Sequence, residues 1–318
     1  MRTKVREQAA KHILLVKPVR FFKNPETSVN NYFQSDIKSQ CHLNGQEVTA
    51  NHISELASQE FYAFVKMLRS ARIFVTVWQS KIEDAPDSIF PNNWFISGVD
   101  KTINLMPIFA HNRRIERDEN LINYFKHNLH YKEVYDYSFY EKLERYFEGT
   151  GSVVFHHPSK TAYVSLSIRA DKVASAEILK SLNYKPIFFE SKQTTQNKRL
   201  PIYHTNVVLS IGEKFAVICL DSIDKERDRK IIKQSFKDNN LDIIEISEKQ
   251  MENFCGNILQ VKNSRGELKI VMSDRARNAF TTEQRAKLEK HGELISSSLQ
   301  VIETLGGGGA RCMMAELF

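Results

Sequence analysis

The chain has 318 residues, 42% apolar and 26% charged, enough to bury a large core and unlike a collagen-like or wholly disordered chain. Its 45 Lys and Arg against 38 Asp and Glu give +7, but bases alternate with acids, as in Asp224-Lys225-Glu226-Arg227-Asp228-Arg229-Lys230, a solvated helix face rather than a nucleic-acid surface. The longest apolar run, 73–78, falls well short of the roughly 18 residues of a membrane helix, and no apolar signal segment follows the basic start of the chain. A cytoplasmic protein without nucleic-acid or membrane partners is expected.

Taken in chain order, short runs of branched and aromatic residues predict strands at 13–16, 73–78, 103–109, 152–155, 162–168, 206–211, 215–220, 242–246 and 269–272. Apolar residues three and four apart predict helices at 53–71, 118–128, 171–182, 225–238 and 281–292, with Asp118, Asp171 and Thr281 as N-caps. The alternation is that of an α/β fold. Eight prolines, twelve glycines and no linker-like stretch leave one domain over 1–318.

Polar or glycine clusters interrupt the apolar runs around Glu26, Asp87, Glu148, His204, Asn257 and Cys312. The intervals between these markers are 61, 61, 56, 53 and 55 residues. Five similar intervals predict a module repeated five times, with the marker clusters gathered at one end of a central axis.

Gly306-Gly307-Gly308-Gly309-Ala310-Arg311-Cys312 is the most informative segment. Consecutive glycines allow a sharp turn or close approach, and the following thiol, beside Arg311, is placed where cationic charge and backbone N–H groups lower a thiol pKa and make a nucleophile. His204 stands before an apolar run as a candidate general acid/base. Glu148 precedes Gly-Thr-Gly, a bend that projects a carboxylate. Phe90-Pro91-Asn92-Asn93-Trp94 sets two amides between aromatics, suited to a planar polar group. Metal binding is not indicated: His127/His130 and His156/His157 lack the further ligands of a zinc site. The four cysteines, Cys41, Cys219, Cys255 and Cys312, are widely spaced without a CxxC and read as reduced thiols.

Together these segments resemble the guanidine-modifying superfamily of arginine deiminases, dimethylargininases and amidinotransferases, and particularly its arginine-deiminase-related citrulline-utilisation branch. The match runs through Asn24-Pro25-Glu26-Thr27, Pro86-Asp87-Ser88-Ile89-Phe90-Pro91-Asn92-Asn93, Glu148-Gly149-Thr150-Gly151, Ser167-Ile168-Arg169, Tyr203-His204-Thr205-Asn206, Phe254-Cys255-Gly256-Asn257 and the segment ending in Cys312. The resemblance implies a five-bladed α/β propeller of ββαβ modules (a pentein), with Cys312 as nucleophile, His204 as general acid/base and Glu148 orienting the substrate head. It implies Arg169 as the fork for a substrate carboxylate and Phe90 as a wall of the head-group pocket. Asp87, Asn92, Asn93, Asn206 and Arg311 complete the expected binding set. No metal or organic cofactor belongs to this chemistry; the expected partner is a small ureido or guanidino amino acid, with a homodimer left open.

Arginine-acting members carry aspartate where this chain has Asn93 and, in many, where it has Asn206; His156 also stands where an acid is expected. A guanidinium offers only donors, whereas a ureido group has a carbonyl acceptor that an amide NH2 can meet. The expected reaction is therefore C–N hydrolysis of citrulline to ornithine, ammonia and carbon dioxide through an S-carbamoyl cysteine. The alternatives are an arginine or methylarginine deiminase-type hydrolase and an amidinotransferase, with a non-catalytic basic binding module as a further reading.

Overall fold

Five times around the molecule a short inner strand pairs antiparallel with a buried strand, and a helix then returns the chain to a third strand parallel to the second. The computed structural model describes residues 6–35, 49–85, 87–98, 100–195 and 197–318; Cys41 and Pro86 lie outside them. One unit joins Phe95–Ser97, Thr102–Leu105, the helix Glu119–Asn128 and Glu133–Asp136. The next joins Val154–His156, Thr161–Ser165, Lys172–Ser181 and Lys185–Phe189. After an added hairpin, Lys192–Thr195 with Lys198–Pro201, come Leu209–Ile211, Phe215–Ile218, Glu226–Asp238 and Asp242–Glu245. Leu259–Lys262, Leu268–Ser273, the helices Asp274–Ala279 and Thr282–Glu289, and Glu293–Ser297 follow. The fifth unit closes the ring. Its inner strand Ala315–Leu317 pairs with His12–Lys17, and the helix Ala50–Ser70 leads to the parallel strand Phe74–Gln79. This is the five-bladed α/β propeller that the resemblance implies, with the five modules that the intervals predict.

The helices form where the apolar spacing predicts them, and the caps are as expected. The Asp118 and Asp171 carboxylates accept from Asn120 N and Ala174 N, and Thr281 forms a capping box with Gln284. Such caps satisfy backbone donors that a helix start leaves free. Core residues fill the gaps between blades, for example Trp94, Phe95 and Phe125 against Leu14 and Leu317. No helix among the described residues is long and apolar enough to cross a membrane.

The strands of the middle layer follow the prediction closely because both faces are covered: every residue of Thr161–Ser165 and Phe215–Ile218 is buried. Several predicted strands overrun into other structure, among them 162–168 past Thr161–Ser165 and 215–220 past Phe215–Ile218. Residues 206–208 are helical, within Thr205–Val208, Ser152 ends the turn Gly149–Ser152, and 106–109 lie beyond the strand Thr102–Leu105. Val207 and Val208 are fully buried by neighbouring blades, so burial overrides the strand preference of branched side chains. The marker Glu26 also differs in kind. It lies in the turn Pro25–Ser28, after the strand His12–Lys17, not ahead of an inner strand.

Ahead of each inner strand the chain makes one tight turn near the axis. These axial turns are Pro91–Asn93, Gly149–Ser152, Thr205–Val208, the segment 253–256 and Ala310–Met313. They pack closely enough that an added Cβ at Gly256 would lie 2.1 Å from Val207 O.

Candidate active site

The axial turns bring together residues far apart in sequence. Glu148 is the N-cap of Gly149–Ser152, His204 holds the same position ahead of Thr205–Val208, and Cys312 lies inside Ala310–Met313. Hydrogen bonds brace the turns to one another: Thr205 Oγ1 donates to Ser152 O at 2.5 Å and Ser152 Oγ to Arg169 O at 2.6 Å. Cys312, His204, Phe90, Asn93, Asp87 and Arg169 line one cavity of about 250 Å3. Glu148 stands behind the imidazole, its Oε2 2.7 Å from His204 Nε2.

Glu148 is fully buried. Burial opposes its ionisation, but Arg169 Nη1 at 3.6 Å and the His204 hydrogen bond prevail and hold its pKa at about 2. Oε1 accepts from Phe109 N at 3.0 Å. His204 is pulled the other way: desolvation lowers its pKa to about 4 despite the carboxylate. At neutral pH the pair is therefore a carboxylate and a neutral imidazole. Because a carboxylate only accepts, Nε2 carries the hydrogen and Nδ1 keeps the lone pair. Gly151 leaves room beside Nδ1, where an added Cβ would sit 2.7 Å from that atom and 2.5 Å from Asn93 Nδ2.

Cys312 is buried, and its thiol pKa is raised, not lowered as the sequence led one to expect. Desolvation dominates; Asn257, Arg311 and Asn206 oppose it without prevailing. Asn257 Nδ2 donates to Sγ at 3.2 Å, and its Oδ1 accepts from Arg311 N at 3.1 Å and Cys312 N at 3.4 Å. Asn206 places Nδ2 3.5 Å and Oδ1 3.7 Å from Sγ. Arg311 points elsewhere: its guanidinium donates to Met314 O at 2.8 Å and to Glu316 Oε2 at 2.9 Å, so it is absent from the Cys312 cavity.

The remaining expected residues divide. The Phe90 ring walls the cavity against the glycine run, where an added Cβ at Gly308 would lie 3.0 Å from it and 3.1 Å from the Cys312 Cβ. Asp87 Oδ2 accepts from Asn24 Nδ2 at 2.8 Å and Thr27 Oγ1 at 3.2 Å, while its buried Oδ1 has no hydrogen-bond partner. Asn92 turns away, with Nδ2 on Thr150 Oγ1 at 3.3 Å. Arg169 lines the cavity, but Nε donates to Asn30 Oδ1 and Nη2 to Thr27 O, both at 2.9 Å. Its fork is thus engaged by the chain itself. His156 lies off the site, with Nδ1 on Ser159 Oγ at 2.6 Å.

Sequence reasoning did not single out Arg113, Glu116, Asn30, Tyr203 or Asn257 as site residues. Arg113 and Glu116 sit in a charged run that reads as solvated, yet both are buried. Asn257 fell on a repeat interval, which was the available signal. Tyr203 donates to Gly307 O at 2.5 Å and packs under Arg169 and beside His204.

No curated protein sequence matches the chain. Among solved structures it is similar to ArgZ, an arginine dihydrolase from the ornithine-ammonia cycle in cyanobacteria, at 15% identity and a TM-score of 0.71, over 96% of this chain and 40% of that one. The N-terminal domain of ArgZ, covalently bonded to a reaction intermediate, matches at 16% identity and a TM-score of 0.70, over 96% and 97% of the two chains. The chain thus spans 40% of full-length ArgZ and 97% of its N-terminal domain. DDAH from Pseudomonas aeruginosa, complexed with citrulline, matches at 17% identity and a TM-score of 0.64, over 97% and 100%. At these identities the likeness carries the fold. Residues 17–318 match the family described as N,N dimethylarginine dimethylhydrolase, eukaryotic. With nearly its whole length inside that match, the chain belongs to this family, a hydrolase of the amidinotransferase and deiminase superfamily acting on non-peptide C–N bonds.

Proposed function

We propose that the protein hydrolyses citrulline to ornithine, ammonia and carbon dioxide, with Cys312 as nucleophile, His204 as general acid/base and Glu148, which stands behind His204 and not in the cavity as a substrate-orienting carboxylate would, holding the imidazole. This places it in the citrulline-utilisation branch of its superfamily. The observation that carries the reading is the convergence of Cys312 and His204 on one cavity that also presents Asn93, with Glu148 directly behind His204.

The charge states dictate the order of events. A buried neutral thiol needs a base as it attacks, and His204 Nδ1 takes its proton as sulfur bonds to the ureido carbon. The carbonyl oxygen gains negative charge, which the Asn93 NH2 and backbone N–H groups of the glycine loop meet. The imidazolium, stabilised by Glu148, returns its proton to the ornithine nitrogen as that C–N bond breaks. Ornithine leaves an S-carbamoyl cysteine. Water then attacks the carbonyl carbon, gives a proton to His204, and the C–S bond breaks with that proton returned to sulfur. The released carbamic acid decomposes to ammonia and carbon dioxide.

A second reading, hydrolysis of arginine or a methylated arginine, is favoured by the family description and by the unpartnered Asp87 Oδ1, an acceptor for a guanidinium N–H. Incubating purified protein with citrulline, arginine, agmatine and methylated arginines, and assaying ornithine, citrulline and ammonia, separates the two. Ornithine from citrulline supports the first reading. Turnover of arginine with none of citrulline selects the second, and a product containing an added acceptor amine establishes transfer instead of hydrolysis.

A further inference from the structure

An amide at a binding site is ambiguous, because either end can face the ligand. Asn93 is not free in this way. Its Oδ1 accepts from Arg113 Nη1 at 2.9 Å, and its Nδ2 donates to Asn92 Oδ1 at 3.2 Å. A guanidinium has donors only, so the oxygen must stay on Arg113 and the NH2 must stay on the side of Gly151 and His204. Arg113 is itself held by a bidentate pair with Glu116, Nε to Oε1 at 2.9 Å and Nη2 to Oε2 at 2.8 Å, with Nε 3.7 Å from Asp87 Oδ2. Arg113 and Glu116 are both buried, and nothing in the proposed chemistry uses Glu116.

We infer that the buried Arg113–Glu116 pair is a specificity device that locks the Asn93 amide with its donor end toward the substrate, so that the site selects a carbonyl-bearing ureido head over a guanidinium. The inference rests on the citrulline reading and deepens it. Arg113 borders the same cavity, but its Nε, Nη1 and Nη2 are bonded to Glu116 and Asn93, so it is a positioning residue acting through Asn93. A guanidinium brought to the locked amide would meet N–H with N–H and leave a buried donor unpaired, a mismatch that discriminates strongly.

The test uses binding, so it does not depend on turnover. In a Cys312→Ser background, citrulline and arginine affinities are measured by calorimetry with and without the double substitution Arg113→Gln/Glu116→Gln, which removes both charges together. The preference for citrulline over arginine is expected to fall at least tenfold. An unchanged ratio, even with both affinities weakened, overturns the inference, as does failure of Cys312→Ser to bind either ligand. Should the double variant not fold, the citrulline complex of Cys312→Ser decides by crystallography. Asn93 Nδ2 on the ureido oxygen with Oδ1 still on Arg113 supports the inference, and Asn93 Oδ1 on a ureido nitrogen overturns it. Citrulline preference that depends on Arg113, in a protein whose native form makes no ornithine, would sink the hydrolase reading alone.

Discussion

The axial turns share one place in the repeat but not one task. Gly149–Ser152, Thr205–Val208 and Ala310–Met313 bring Glu148, His204 and Cys312 to the axis. Pro91–Asn93 and the segment 253–256 bring amides, Asn93 and Asn257. The ionisable set holds protons at unusual affinities: about 2 for Glu148, about 4 for His204, and a raised value for Cys312. The amide set carries no titrating charge and instead fixes directions, Asn93 by its bond to Arg113 and Asn257 by bonds to Sγ and two backbone N–H groups. A repeated fold thus separates proton transfer from orientation by what it hangs on equivalent turns.

If that division holds, removing an ionisable group should cost far more than removing an amide. Cys312→Ser is expected to lower kcat by about 10^4-fold or more, measured as ornithine release, with circular dichroism unchanged. Gly151→Ala comes next. Its methyl would displace the His204 ring and the Asn93 amide together, and a displacement on the order of 1 Å at reacting groups costs about 10^2-fold, again read in kcat. On the amide side, Asn257→Ala removes the donor to Sγ and the acceptor for Arg311 N and Cys312 N. A loss of roughly ten- to a hundredfold is expected, and a loss equal to that of Cys312→Ser would erase the distinction between the two sets.

The smallest effect concerns stability. Glu303 is a buried acid on the helix Gln300–Gly306 behind the nucleophile turn, and an added Cβ at Gly309 would lie 3.2 Å from its Oε1. Burial raises its pKa to about 8, with Ser273 and Arg275 pulling against it. A raised carboxyl pKa favours folding fully below the unfolded value near 4.5, and that contribution is lost as pH rises through about 8. Glu303→Gln, neutral at every pH, is therefore expected to raise the melting temperature at pH 8 by on the order of 5 °C and to leave it unchanged below pH 4. Equal shifts at both pH values would show that Glu303 does not titrate in this way.

The helices were legible because each shows one apolar face and three begin at Asp118, Asp171 and Thr281 with a side-chain cap. The outer parallel strands were legible only in part: 73–78 and 242–246 were predicted, whereas Glu133–Asp136, Lys185–Phe189 and Glu293–Ser297 were not. Glu133–Asp136 is largely exposed, so its residues carry no period-two burial signal. Short inner strands such as Phe95–Ser97 are only three residues long, and Ala315–Leu317 gains its partner His12–Lys17 only by closure of the ring. Cys312 and Glu148 were legible as motifs, since glycines beside a reactive group stand out in sequence, and His204 was legible as an imidazole ahead of an apolar run. The thiol's raised pKa was not, because desolvation by distant blades leaves no local mark. Arg113 and Glu116 were hidden for a related reason: charges in sequence read as solvated, and only packing reveals a buried pair. Arg311 misled in the opposite sense, its nearness to Cys312 in sequence not carrying into the cavity.

The account stands or falls on whether sulfur 312 becomes covalently attached to substrate. Mass spectrometry of the native protein, quenched in acid during turnover of citrulline and digested, measures this directly. A carbamoyl group on the peptide that contains Cys312 is predicted. A label on Cys41, Cys219 or Cys255 with Cys312 unmodified would contradict it.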